Sequence, residues 1–406
     1  MSLNGTISPV LGNLSSLRSI DLSQNYLTGT IPPQLGQLPH LRILRLHRNQ
    51  LQETIPPTLS ACRNLYFLAL SFNQLHGSIP PELGLLTSLR YLALGVNALT
   101  GTIPPSLKNL SALVELNLNE NELSGTIPPE LGMLTNVEFL GLWGNQLSGN
   151  IPNSLGNCSR LKQLSLNSNQ RSGMVPMELG KLNLLTKLYV HSNQLVSDSS
   201  NTLVFLATLT NCSHLQKIEM ANNTFTGVLL PSIGQLSSNL YELSLADNMI
   251  SGSIPQQIVN LTNLTFLDLH NNHLSGNIPS GIKRFRKLER LYLGGNKLEG
   301  SIPGEIGQMQ HLGLLSLSHN QLSGKIPDSL CNSQQLRRLF LQHNKLSGKI
   351  PVSLDGCQKL ELLDLSHNKL AGRIPGEVIA NLPALKTCNS TSIFHGILCK
   401  GPSHTR

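Results

Sequence analysis

The chain has 406 residues, of which 13% are charged and 4% aromatic, and a formal net charge of +8. The surplus is local: residues 1–282 carry 13 Lys+Arg against 14 Asp+Glu, while residues 283–406 carry 17 against 8. This argues against a nucleic-acid channel along the whole chain, and no stretch reaches the roughly 18 consecutive apolar residues of a membrane span.

From the N-terminus, no basic-then-apolar leader precedes Leu3-Asn4-Gly5-Thr6-Ile7, which reads as the middle of a repeating unit. The expectation is a segment of something longer, or a product that has lost its leader. Asn25, Asn49, Asn73, Asn97, Asn121, Asn145, Asn169 and Asn193 then recur every 24 residues. The beat resumes at Asn223, Asn248, Asn272, Asn296, Asn320, Asn344 and Asn368. Apolar residues precede each asparagine at fixed distances, as Leu17, Ile20 and Leu22 precede Asn25. A fixed period of this size predicts a solenoid of about 15 coils.

The coil from Leu89 to Leu110 shows the logic. Leu92 and Leu94 alternate with Tyr91, Ala93 and Gly95, the period of a half-buried strand, so each coil should add one strand to a parallel sheet. Asn97 can donate and accept at once, which suits a column that satisfies turn backbone groups. Ile103 points inward, Pro104 holds the departing backbone extended, and Leu107 and Leu110 fill the outer core. Between Asn193 and Asn223 the step is 30 residues, an irregular longer repeat at 194–223. The array is expected over 1–387, with 388–406 a cap remnant or tail.

Seven cysteines give an odd count. Cys62, Cys158, Cys212 and Cys357 share one inward phase in non-adjacent coils, beyond disulfide reach of one another, and are read as free buried thiols. Cys388 and Cys399 follow the last repeat and are a candidate pair, with free thiols as the alternative.

The asparagine beat followed by L-x-G-x-I-P resembles the plant-type leucine-rich repeat. Its Ile-Pro pair stands at Ile31-Pro32, Ile103-Pro104, Ile254-Pro255 and Ile350-Pro351 among others. Departures are local: Glu53 replaces the glycine, Arg171 the leucine after Asn169, and Leu230 the proline. The irregular stretch holds Phe205-Leu206, Leu209-Thr210-Asn211-Cys212-Ser213 and Pro231-Ser232-Ile233-Gly234. With the opening phrase LNGTISPVLGNLS, it resembles the ectodomains of plant receptor-like kinases. The branch it resembles includes the flagellin, elongation-factor and rice blight-resistance immune receptors.

The resemblance implies an α/β solenoid: a superhelix with its parallel β-sheet on the concave face and 3-10 or short helical segments on the convex face. It also implies recognition of a peptide or protein ligand, a leucine-rich-repeat co-receptor kinase, and a parent protein whose recognition part lies outside the plasma membrane. The membrane would be reached only through a span that these residues do not contain. No kinase signature, paired carboxylates or nucleophile with a base is present, so no enzyme, metal or cofactor is expected, nor a nucleic-acid partner. A soluble defence protein resembling the polygalacturonase inhibitors is the alternative, with paired cysteine caps and about ten repeats against it. An ice-binding protein is a minor one, because Glu53, His76, Met174, Lys325 and Lys349 interrupt the hydroxyl columns.

On the expected concave face, Phe67, Phe72, Tyr91, Val96, Phe139 and Trp143 form an apolar track that Tyr189 and His191 extend. The alternative for the strand-edge residues is packing against neighbours. Arg290, Arg338, Lys325, Lys349 and Arg373 form a basic strip for an anionic partner or co-receptor, or simply a solvated face. His319, His343 and His367 recur one position before their asparagines and read as solvated surface. Glycosylation sequons stand at Asn4, Asn13, Asn109, Asn157, Asn211, Asn222, Asn260, Asn263 and Asn389. Five of them share one phase and would put sugars on one outer stripe, away from the ligand.

Overall fold

In the computed structural model, residues 2–198, 202–372 and 381–389 are described. The chain divides into two compact units, Met1–Ser197 with Thr208–Asn223, and Asp198–Ala207 with Thr224–Arg406.

In the first unit, three-residue strands from Ser19–Asp21 to Lys217–Glu219 pair in parallel, one per coil. The register is the sequence period itself, with Phe67 opposite Tyr91 and Leu68 opposite Leu92. The middle residue of each strand points inward, so Leu44, Leu68, Leu92, Leu116 and Leu140 are buried. Each such leucine contributes about 1.5–3 kcal/mol of burial. The second unit repeats the arrangement from Glu242–Ser244 to Leu362–Asp364 and Thr387–Asn389.

The asparagines hold coil to coil. The Asn73 amide donates to the carbonyls of Leu46 and Leu70, each at 3.0 Å, and its oxygen accepts from the Leu51 amide at 3.0 Å. Leu46 and Leu51 belong to the preceding coil. Beyond the asparagine, the chain turns through the glycine of the repeat, where Gly77 has φ +75°. Pro80 then opens the 3-10 helix Pro81–Leu85. A side chain on Gly84 would meet the Ser106 carbonyl of the next coil at 2.4 Å, so this residue sets how closely the outer segments approach.

The long step at 194–223 leaves the strand register intact, with Leu188 opposite Ile218. Within the longer step a helix, Val204–Thr208, runs into the 3-10 turn Leu209–Asn211. In the second unit Phe205 packs its ring 5.4 Å from that of Phe225, which is fully buried.

One expectation is corrected. Cys357 is not a free thiol: it forms a disulfide with Cys331, with Cα atoms 4.9 Å apart. The two lie 26 residues apart, one coil plus two positions. Comparing only cysteines of equal phase therefore misses the pair. Cys62, Cys158 and Cys212 are free and buried, and burial pushes the Cys158 and Cys212 thiols up to about 11. Cys399 lies outside the described residues, and with it the suggested partner of Cys388.

Candidate ligand-binding face

In most coils the first residue of the strand is at least partly exposed, Leu314 being buried, and parallel pairing brings equivalent residues of successive coils side by side. Phe67 and Tyr91 both hold this position, and their ring centroids lie 5.3 Å apart. The Arg45 guanidinium stands 4.6 Å over the Phe67 ring, so a cation and two mutually tilted rings are in contact across three coils. At the turn after the strand, Phe72 and Val96 take left-handed backbone angles. Phe72 is 45% exposed, with the Arg48 guanidinium 4.6 Å over its ring.

Glu115 interrupts this track between Tyr91 and Phe139, and burial raises its carboxyl above the usual range. The Phe139 ring lies over Gly141, where a side chain would collide with it. Trp143 is half-buried, and its backbone amide donates to Asn119 Oδ1 at 3.1 Å. Phe67 and Tyr91 thus form a tilted ring pair, whereas among the described residues Phe139 and Trp143 make no ring contact with them. Tyr189 and His191 belong to a polar network. Lys217 lies 5.3 Å over the Tyr189 ring and 2.6 Å from Glu219, which also pairs with His191 at 3.3 Å. Burial lowers the His191 pKa.

The second unit carries an aromatic and charged cluster of its own, of which the sequence reading named only Arg290. The Arg290 guanidinium lies 4.6 Å over Phe266, whose ring is 5.7 Å from that of Tyr292. His270 is 6.4 Å from Tyr292, and its nitrogens meet Asp268 at 2.6 Å and Asp247 at 3.2 Å. The hydrogen bond that its Nδ1 donates to Asp268 is the main reason its pKa is raised. Phe266 opens its strand as Phe67 and Tyr91 do, so the same phase would have flagged it, whereas Tyr292 closes its strand, opposite Asp268.

Arg338, Lys325 and Lys349 are exposed, and the stems of the two lysines lie over Gly348 and Gly372. Arg373 lies outside the described residues. His319, His343 and His367 stack ring on ring, with centroids 4.2 and 4.0 Å apart. Among the described residues no set of three His, Cys, Asp or Glu is placed to hold a metal. Asn13, Asn109, Asn157, Asn211 and Asn260 each end a 3-10 helix and are exposed. Asn4 is exposed on the strand Asn4–Thr6, and Asn222 is exposed beside Ser192. Asn263 donates to the Ser238 carbonyl at 2.7 Å, and the Asn389 side chain lies outside the described residues.

Family comparisons agree with this architecture. A model described as a leucine-rich repeat region matches residues 53–249, and two further leucine-rich-repeat models match within 16–62, 239–333 and 324–387. The Arabidopsis receptor kinase HAESA, solved with the peptide hormone IDA and the co-receptor SERK1, is 30% identical with a TM-score of 0.57. That match covers 96% of this chain and 76% of HAESA.

The chain belongs to the leucine-rich repeat family.

Other relatives of this repeat protein are plant receptors. The plant peptide hormone receptor RGFR1, solved in complex with RGF2, is 36% identical with a TM-score of 0.89, over 96% of this chain and 62% of RGFR1. The receptor kinase-like protein Xa21 of Oryza sativa subsp. japonica is 47% identical over 60 residues, 15% of this chain and 6% of Xa21. The chain thus spans less than two thirds of RGFR1, and its matches to the kinase sequences cover only 6 to 7% of their length.

Proposed function

We propose that this chain is the ligand-recognition part of a plant leucine-rich-repeat receptor kinase and binds a peptide or protein along the solvent face of its strands. The observation that carries the reading is the contact series of Arg45, Phe67 and Tyr91, together with the exposed Phe72 under Arg48. Rings and guanidiniums held in place across coils lose little entropy on binding and supply the anchors on which such interfaces depend. Val96, Phe139, Trp143, Tyr189 and His191 continue the surface. The peptide complexes of RGFR1 and HAESA support a peptide ligand.

A leucine-rich-repeat co-receptor is the second partner, supported by the SERK1 complex of HAESA, with Arg290, Arg338, Lys325, Lys349 and Arg373 as its contact strip. The role is perception, in immune signalling, on the extracellular side of the plasma membrane, with no catalysis in these residues. Glycans on the exposed 3-10 ends would leave the strand face open.

The test is binding of a synthetic library of secreted-type plant peptides to the chain and to a Phe67→Ala/Phe72→Ala/Tyr91→Ala variant. Peptides enriched on the parent chain should weaken by about tenfold or more on the variant. Equal binding to both would remove this face as the ligand site.

A further inference from the structure

Lys283, Arg284, Arg286 and Lys287 place four cations within five residues, and the fifth, Phe285, is buried. Arg284 ends the 3-10 helix Ser280–Arg284, and Arg286 and Lys287 lie in the turn before the strand Arg290–Tyr292. Together with Thr262 and Asn263 of the preceding coil, Arg284, Arg286 and Lys287 line a cavity of about 280 Å³. Asn263 is fixed there by its bond to the Ser238 carbonyl, which leaves its side-chain oxygen free to accept. Among the described residues no carboxylate pairs with any of the four cations, Glu289 included. Equivalent positions one coil earlier hold Val259, Asn260, Thr262 and Asn263, and one coil later Gly307, Gln308, Gln310 and His311. None of these equivalent positions carries an acid.

The chemistry around the cavity narrows its ligand. The apolar residues of this edge, Val259, Leu261, Phe285 and Met309, are all buried, so a polypeptide finds no exposed apolar anchor. What is exposed is charge, amide and hydroxyl. We propose that this cavity binds a negatively charged saccharide. Arg284, Arg286 and Lys287 take its carboxylate or sulfate, guanidinium forks matching such oxyanions in two-point bonds. Thr262 and Asn263 meet the ring hydroxyls. None of its residues is among those proposed for the peptide, so the two readings fail independently.

The experiment titrates the 406-residue chain produced in a host that adds no N-glycans, because the sequons starting at Asn260 and Asn263 both stand at the cavity, at about 0.15 M salt where long-range attraction is screened. One arm uses an oligogalacturonate and another a sulfated oligosaccharide, with a neutral oligosaccharide and poly-glutamate as controls. Binding in either anionic arm supports the proposal and identifies the group. Arg284→Gln/Arg286→Gln/Lys287→Gln should weaken it about tenfold, and Arg286→Glu alone should weaken it too, with the melting temperature unchanged. Lys325→Gln/Lys349→Gln should change it by less than about twofold. Absence of binding in both anionic arms, or equal losses in the two multiple variants, would overturn the site. Poly-glutamate bound as tightly through the same three cations would overturn the saccharide as its ligand.

Discussion

Arg171 donates from its guanidinium to the carbonyl of Ser148, 2.7 Å away, from a core position where neighbouring coils carry leucine. A second bond reaches the Asn150 carbonyl, and the side chain is fully buried, with no carboxylate paired to it among the described residues. Its Nε has no partner. Burial alone lowers its pKa to about 10 from 12.5. The unfolded chain therefore holds the proton more tightly, and the charge opposes folding at every pH below about 10. That cost is on the order of 3 kcal/mol. Arg171→Leu, which restores the repeat, should stabilise the chain by about 1–3 kcal/mol in urea unfolding. Arg171→Ala should destabilise it by leaving a cavity. A loss of stability in the leucine variant would mean that the two carbonyl bonds outweigh the buried charge.

Asn121 offers the complementary case of a buried polar group that is fully used. Its amide donates to Leu94 and Leu118 carbonyls, both at 3.2 Å, and its oxygen accepts from Leu99 at 3.1 Å. Asn121→Ala would orphan three backbone groups and should cost about 3 kcal/mol. Asn25→Ala, at a less buried position of the same column, should cost less when both are compared by urea midpoint.

The Cys331–Cys357 disulfide fastens two successive coils of the second unit. In a solenoid each coil leans mainly on its neighbours, so its loss should act locally. Cys331→Ser should speed amide exchange in Arg338–Phe340 and Leu362–Asp364 while leaving Tyr91–Ala93 unchanged. Uniform acceleration along the chain would contradict that locality.

Two histidines should titrate in opposite directions. His270 is raised, chiefly by its hydrogen bond with Asp268, so its stabilisation is full below pH 6.5 and fades as pH rises through the folded value. With the ring partly exposed, the effect should stay below about 1 kcal/mol. His343 is lowered by lost hydration and then by His319 and His367, so the folded state gains stability as pH rises from its folded value towards 6.5. Ring-proton NMR should place His270 above 6.5 and His343 below it, and His367→Ala should move His343 upward. An unmoved His343 would deny the coupling within the stack.

What could be read from the sequence was whatever repeats. Asn73, Leu92, Ile103 and Pro104 recur in one phase because every coil meets the same neighbours, so one coil explains the rest. The Phe67–Tyr91 pair followed because equal phase means adjacency in a parallel sheet. Features that join different phases stayed hidden. Cys331 and Cys357 are offset by two positions from the period, and His270 meets Asp247 and Tyr292 from three different positions of the coil. The helix Val204–Thr208 was equally hidden, because nothing in the period specifies the conformation of a longer step. Arg171 was visible as a departure from leucine, but its carbonyl partners depend on the path of the preceding coil.

The strand face as the ligand site is tested most directly by photo-crosslinking. A photoreactive residue placed at Phe72 or Tyr91 should capture a bound library peptide, and one placed at Asn109, on a 3-10 end, should not. Capture at Asn109 with none at Phe72 or Tyr91 would contradict recognition along the strands.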